Sequence, residues 1–216
     1  MCKLSGVLTK HSIFTIIQYI GEEKMWWDKV IFGMDSYQVV WWFLTYSILG
    51  WAVESLYMSF CNRKLTNRGF AKGPFCPIYG VGALTVYFLL RRYESNTLLL
   101  FIYGSVLATT LEFLTALLML RIFGDFWWDY KEKPFNYKGI LCVESSIAWG
   151  FYTVFLFGFL QKMVVSFVKE IPLSFGKVAG SILILLFLGD FLHSFYEEKK
   201  DVLPEWKKML TERFRG

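Results

Sequence analysis

Charge is scarce in this chain: Asp, Glu, Lys and Arg together make up 19% of its 216 residues, fewer than a soluble domain of that size carries. Histidine is scarcer still, with only His11 and His193, each isolated and each read as a satisfied or solvated ring. The four cysteines, Cys2, Cys61, Cys76 and Cys142, show no CxxC spacing and no His nearby in sequence, which argues against a metal centre. The sequence contains no nucleophile elbow, Walker A loop, HExxH or dinucleotide fingerprint. The chain therefore does not hydrolyse ATP by itself, and no cofactor or metal is expected. The net charge of +5 does not imply nucleic acid either, because the cations lie between and after apolar runs, where they set membrane orientation.

What the chain has instead is apolar: 55% hydrophobic and 20% aromatic residues, including 22 Phe, 12 Tyr and 9 Trp. Long uncharged runs predict an all-α polytopic membrane bundle of about five transmembrane helices, in one domain, with the lipid bilayer as its solvent. Spans are expected at about residues 38–60, 77–90, 97–120, 140–160 and 178–196. The second is short for a crossing unless part of the loop before it dips into the bilayer. Residues 1–37 are expected to form an interfacial segment, because the apolar run 13–20 is too short to span and Trp26 and Trp27 sit among charges. A partly ordered tail fits these residues equally well, and a sixth crossing over 12–32 would move only the N-terminus. Lys3 and Lys10 precede no small-residue cleavage site, so a retained N-terminus is expected. Residues 197–216 read as a charged C-terminal tail.

Two irregular stretches interrupt the apolar runs. Residues 67–80 pack Gly69, Gly73, Gly80, Pro74, Pro77, Arg68 and Lys72 between two spans, a composition that shapes a loop and breaks a helix. Residues 123–139 carry Trp127, Trp128, Asp129, Tyr130, Pro134, Asn136 and Gly139, read as a re-entrant or lid loop and alternatively as an aromatic belt. With five crossings both loops and the tail share one side, and that side holds 14 of the 23 Lys and Arg. The positive-inside rule assigns it, with the C-terminus, to the cytoplasm.

Each long span carries one carboxylate, and all fall in the half of the bilayer that adjoins these loops. Taking 1.5 Å per residue, Glu54 lies about 9 Å, Glu112 about 12 Å and Glu144 about 6 Å from the loop side, with Asp190 at a depth like that of Glu54. Ionisable groups at such depth normally face the bundle interior or water. Helical spacing groups Ser47, Gly50, Glu54 and Met58 on one stripe, Ser105, Thr109, Glu112 and Ala116 on a second, and Asp190, His193 or Ser194, and Glu197 on a third. The candidate site is a polar vestibule lined by Glu54, Asn67, Arg68, Tyr79, Glu112, Trp128, Asp129, Asn136 and Glu144. The alternative is that each acid is a structural bridge, for example Glu54 to Arg68 or Glu144 to Lys138.

Gly50-Trp51 with Glu54, Asn67-Arg68-Gly69-Phe70, Gly73-Pro74 and Pro77-Ile78-Tyr79-Gly80 with Gly82-Ala83 form the first part of an ordered motif series. Glu112, Trp127-Trp128-Asp129-Tyr130, Pro134-Phe135-Asn136, Gly139, Cys142 and Trp149-Gly150 continue it. Over about residues 40–155 this series resembles the bacterial ABC-transporter type IV family, the CmpB-like permeases. Members often carry an Arg directly after the glycine matching Gly139, where this chain has Ile140. The resemblance implies a multi-pass protein of the bacterial inner membrane and a permease, without a substrate or a catalytic residue set. The first expectation is a permease component moving a small solute or ion, with a separate ATPase subunit or a second copy of the chain as partner. A membrane-embedded enzyme acting on a lipid or lipid-linked substrate, with Glu54 or Glu112 as general base, is the second, and a scaffold of a membrane complex the third.

Overall fold

The computed structural model describes residue 27, residues 29–67 and residues 69–213, with side chains placed through residue 199. A two-stranded hairpin, β1 (Val30–Ile31) and β2 (Met34–Asp35), leads into helix α1 (Ser36–Asn62). Helix α2 (Pro77–Leu90) and a single 3-10 turn at Arg91–Tyr93 follow, then α3 (Thr97–Phe123). A second hairpin, β3 (Asn136–Tyr137) and β4 (Leu141–Cys142), precedes α4 (Val143–Phe155). A π-turn at Leu156–Leu160 joins α4 to α5 (Gln161–Glu170), and α6 (Leu173–Arg213) ends the described chain.

Side-chain and backbone caps set the helix limits. The Asp35 carboxylate accepts the Tyr37 amide at 3.1 Å, and Asn96 accepts the Leu99 amide at 3.1 Å, so donors left free by the first turns of α1 and α3 are satisfied. Helix α3 stops at Gly124, whose φ of 78° lets its amide return to the Leu120 carbonyl. Pro172 follows extended Ile171 and separates α5 from α6.

Four helical stretches are long and apolar enough to cross a membrane: Ser36–Asn62, Thr97–Phe123, Val143–Glu170 and Leu173–Lys199. Three of them contain the spans expected over 38–60, 97–120 and 178–196 and extend beyond them at one end or both. The span expected over 140–160 begins instead with strand β4 and runs ten residues further, to Glu170. Helix α6 continues without a break into the region read as a tail. The interfacial segment expected over 1–37 lies mostly outside the described residues, but Trp27 is fully buried, its ring tilted against Tyr37 of α1 with centroids 6.0 Å apart.

Helix α2, with 14 residues, is about 21 Å long, shorter than the roughly 30 Å hydrocarbon core. The loop before it supplies the missing depth. The Cys76 amide donates to the Ser47 carbonyl at 3.0 Å, and Ser47 lies near the middle of α1. The chain therefore leaves α1 at Asn62, descends along it, and starts α2 beside the middle of α1. Ala71, Phe75 and Cys76 are accordingly buried. Around that point α1 and α2 pack closely through glycines: a Cβ on Gly50 would overlap the Tyr79 ring, and one on Gly80 would meet Ser47 and Phe43. Helices α3 and α4 form the other close pair, with Gly104 against Thr153 and Gly150 against Ser105 and Phe101. We call the side holding the 63–76 and 124–142 loops the loop side.

Candidate functional site

The descending loop is held from both flanks. On the α1 flank the Trp51 indole donates to Asn67 Oδ1 at 2.6 Å, and Asn67 Nδ2 donates to the Lys72 carbonyl at 2.7 Å. On the α6 flank the Gly73 amide donates to Asp190 Oδ2 at 2.8 Å. Lys72 Nζ reaches His193 Nε2 at 3.1 Å and Glu197 at 4.0 Å. The stripe Asp190, His193 and Glu197 thus faces the loop, and Asn67 and Asp190 anchor its backbone. Phe70 fills the space between, with ring centroids 4.9 Å from Trp127, 5.1 Å from Phe191 and 5.7 Å from Phe123. Arg68 lies outside the described residues.

At the inner end of the loop, the Tyr79 hydroxyl hydrogen-bonds Glu54. Glu54 is about eight residues, or 12 Å, from the loop-side end of α1, because that helix continues to Asn62. The Gly50–Tyr79 contact one turn below forces the two side chains together. They form the first polar centre.

Glu112 makes the second. Its carboxylate is 6% exposed and sits near the middle of α3, deeper than its spacing from residue 120 suggests. Oε1 accepts the Tyr130 hydroxyl at 2.9 Å, while Oε2 accepts the Trp149 indole at 3.1 Å and faces Ser145 Oγ at 3.4 Å. Ser145 has a nearer acceptor in the Cys142 carbonyl at 3.0 Å, so Trp149 and Tyr130 are the principal donors. Burial, and then the Glu112 charge, push the Tyr130 phenol well above its usual range, which keeps it a donor. Toward the opposite side, Ser105 and Thr109 place buried hydroxyls on the same α3 face, without partners among the described residues.

The remaining expected site residues build the 124–142 loop or its rim. The Trp128 indole donates to the Ile140 carbonyl at 2.9 Å, and Asp129 accepts the Lys131 amide at 2.9 Å. Asn136 spans the β3–β4 turn, donating to the Lys131 and Lys133 carbonyls at 3.1 and 2.8 Å and accepting the Gly139 amide at 3.2 Å. Glu144, the second residue of α4, is exposed and pairs with Lys133 at 2.9 Å; its partner is not Lys138. Ile140, directly after Gly139, is buried. The structure therefore joins Glu54 to Tyr79, seats Glu112 separately, and uses Asn67, Trp128, Asp129 and Asn136 as loop braces.

Sequence reasoning placed Tyr130 and Trp149 in motifs without giving them a site role, and it passed over Ser145, Tyr57 and Tyr152. The signal was present in part, since Ser145 and Trp149 are four apart on one helical face. Trp149 also stacks edge-on with Tyr152 at 5.7 Å, and Tyr152 lies within electrostatic range of Tyr79. An aromatic series thus links the Glu112 and Glu54 centres. Among the described residues no cluster of three His, Cys, Asp or Glu could hold a metal ion.

Neither a curated protein nor a solved structure matches the chain. A family model does, over residues 41–195, which extends past the motif series to include the Asp190–His193 stripe of α6. The chain belongs to the family described as "Putative ABC-transporter type IV".

Proposed function

We propose that the chain is the membrane-spanning component of a transport system in a bacterial inner membrane, with the loop side and the C-terminus facing the cytoplasm. The observation that carries this reading is the start of α2 beside the middle of the long apolar helix α1, behind a loop of irregular backbone. Irregular backbone at that depth is tolerated where it is enclosed by protein or lines a cavity, and broken helices of this kind build midplane substrate sites in transporters. Two carboxylates accompany it: Glu54 beside the first turn of α2 and Glu112 near mid-membrane. Buried acids at such depth cost several kcal/mol on insertion scales, about 2.5–3.5 each for Asp-like groups, and mark solute or ion pathways.

The vestibule in this reading runs from the loop side past Glu54 and Tyr79, with Glu112, Thr109 and Ser105 continuing the polar line inward. Hydrolysis is less well served. Glu112 is enclosed, and the nearer acceptor of the half-buried Ser145 hydroxyl is a backbone carbonyl. Because the sequence holds no nucleotide-binding motif, ATP-driven movement requires a separate ATPase subunit.

The test is purification of the tagged full chain from its native membrane, followed by reconstitution into vesicles. Co-elution of an ATPase and ATP-dependent solute accumulation are expected. Glu54→Gln and Glu112→Gln chains that fold and accumulate solute at the wild-type rate would show that the acids do not line the path.

A further inference from the structure

The depth at which α2 begins leaves one part of α1 without a helix beside it. The face of α1 that packs on α2 through Ser47 and Gly50 continues upward as Glu54, Tyr57 and Cys61, and α2 does not reach the last two. The descending loop does not fill that space either, because it runs along the Ser59 and Trp51 side of α1. Across the gap stands the start of α4. Tyr57 lies within electrostatic range of Lys133 and Glu144, and Tyr79 within range of Tyr152.

The two helices do not close on each other there: Tyr57 of α1 is 66% exposed and Tyr152 of α4 61%. Around α1 on the side away from the loop come Val53, Leu56 and Phe60, all strongly exposed. The cleft is therefore closed on one side by the loop, open on the other toward hydrocarbon, floored by the Glu54–Tyr79 pair, and rimmed by the Lys133–Glu144 ion pair.

We propose that this cleft is a lateral entrance for a membrane amphiphile whose head group carries amino or hydroxyl donors. The head sits on Glu54 and Tyr79, a carboxylate that accepts and a phenol that can also accept, while the alkyl tail leaves past Val53 into the bilayer. A water-soluble solute would have no use for the open apolar flank, whereas an alkyl tail placed there gives up no hydrophobic contact. This assignment rests on the transport reading and names its substrate class.

The test uses the full chain with benzoylphenylalanine in place of Tyr152, or of Leu114 as a lipid-facing control on α3. It is reconstituted in phosphatidylcholine vesicles containing a trace of alkyne-tailed phosphatidylethanolamine. Labelling at 152 is expected to saturate, to be competed by unlabelled phosphatidylethanolamine or phosphatidylglycerol, and to resist added phosphatidylcholine, whose head has no donor. The first two competitors separate an amino from a hydroxyl head. Glu54→Gln and Tyr79→Phe are each expected to weaken labelling at 152 about tenfold while leaving that at 114 unchanged. The proposal is overturned if 152 and 114 label alike, tracking total lipid and indifferent to both substitutions. A cross-linked product of twice the chain mass would also overturn it, because a second copy would then cover the cleft. Saturable labelling without movement of the lipid between leaflets keeps this assignment and removes the transport reading. Solute flux without saturable labelling does the reverse.

Discussion

Asp190 accepts the backbone amide of Gly73 at 2.8 Å, tying α6 to the descending loop across 117 positions of sequence. The carboxylate replaces a hydrogen bond that secondary structure would otherwise supply, since the loop has no ladder partner at Gly73. Asp190→Ala is therefore expected to cost roughly 1–3 kcal/mol by leaving a part-buried amide without an acceptor. Asp190→Asn keeps an acceptor oxygen and should cost much less. Thermal unfolding in detergent compares the two, and limited proteolysis at Lys72 should quicken only in the alanine variant.

Glu112 is expected to show a different order of severity. Trp149 can only donate, so a glutamine at 112 must turn its oxygen toward the indole and its amide toward the Tyr130 hydroxyl, which can accept. Glu112→Gln thus retains most of the network, whereas Glu112→Leu leaves two donors unsatisfied, at roughly 1–3 kcal/mol each. Adding Trp149→Phe to Glu112→Leu should recover part of that loss. A double-mutant cycle on unfolding midpoints measures the coupling; additive effects would mean the 3.1 Å contact is not stabilising.

Glycines on the helix faces separate contact from bare composition. A Cβ at Gly150 would come within 2.7 Å of the Phe101 ring and closer still to Ser105, so Gly150→Ala pushes α3 and α4 apart. Overpacking of this kind costs about 1–3 kcal/mol. Gly158 has nothing within 4 Å of its Cβ position, and Gly158→Ala should be neutral or slightly stabilising through helix propensity. Unfolding midpoints of the two variants, measured side by side, test the helix pair directly.

Membrane class and the all-α architecture were legible in the sequence because hydrophobic runs and 3.6-residue spacing are local properties. The α6 stripe is an example: spacing grouped Asp190 and Glu197 with either His193 or Ser194, and the structure turns Asp190, His193 and Glu197 to the loop. What it faces was not legible, because the Gly73 partner lies far away in sequence. The short second span shows the same division. Its length signalled a dipping loop, but only the Cys76–Ser47 hydrogen bond fixes how deep the loop goes. Glu144 was placed inside the membrane because the span was started at Ile140; residues 141–142 are strand, which puts Glu144 at the rim. Tyr57 and Tyr152 were passed over because aromatic residues in a chain this rich in them carry little information until their exposure is known.

The Lys133–Glu144 pair sits at that rim, with side chains 48% and 64% exposed, and should contribute little to neutral-pH stability. The hydrogen bond to Glu144, and then its charge, raise the Lys133 ammonium above its ordinary range. A raised folded-state value means that whatever the pair contributes is fully present below the unfolded lysine value, about 10.4, and is lost as pH climbs through the folded one. Glu144→Gln is therefore expected to shift the unfolding midpoint by no more than about 1 °C between pH 6 and 9, and any difference from wild type should close at higher pH. High salt should erase the same difference at neutral pH, since both groups face solvent. A midpoint difference that persisted above the folded lysine value would mean that Glu144 stabilises the protein through a contact other than Lys133.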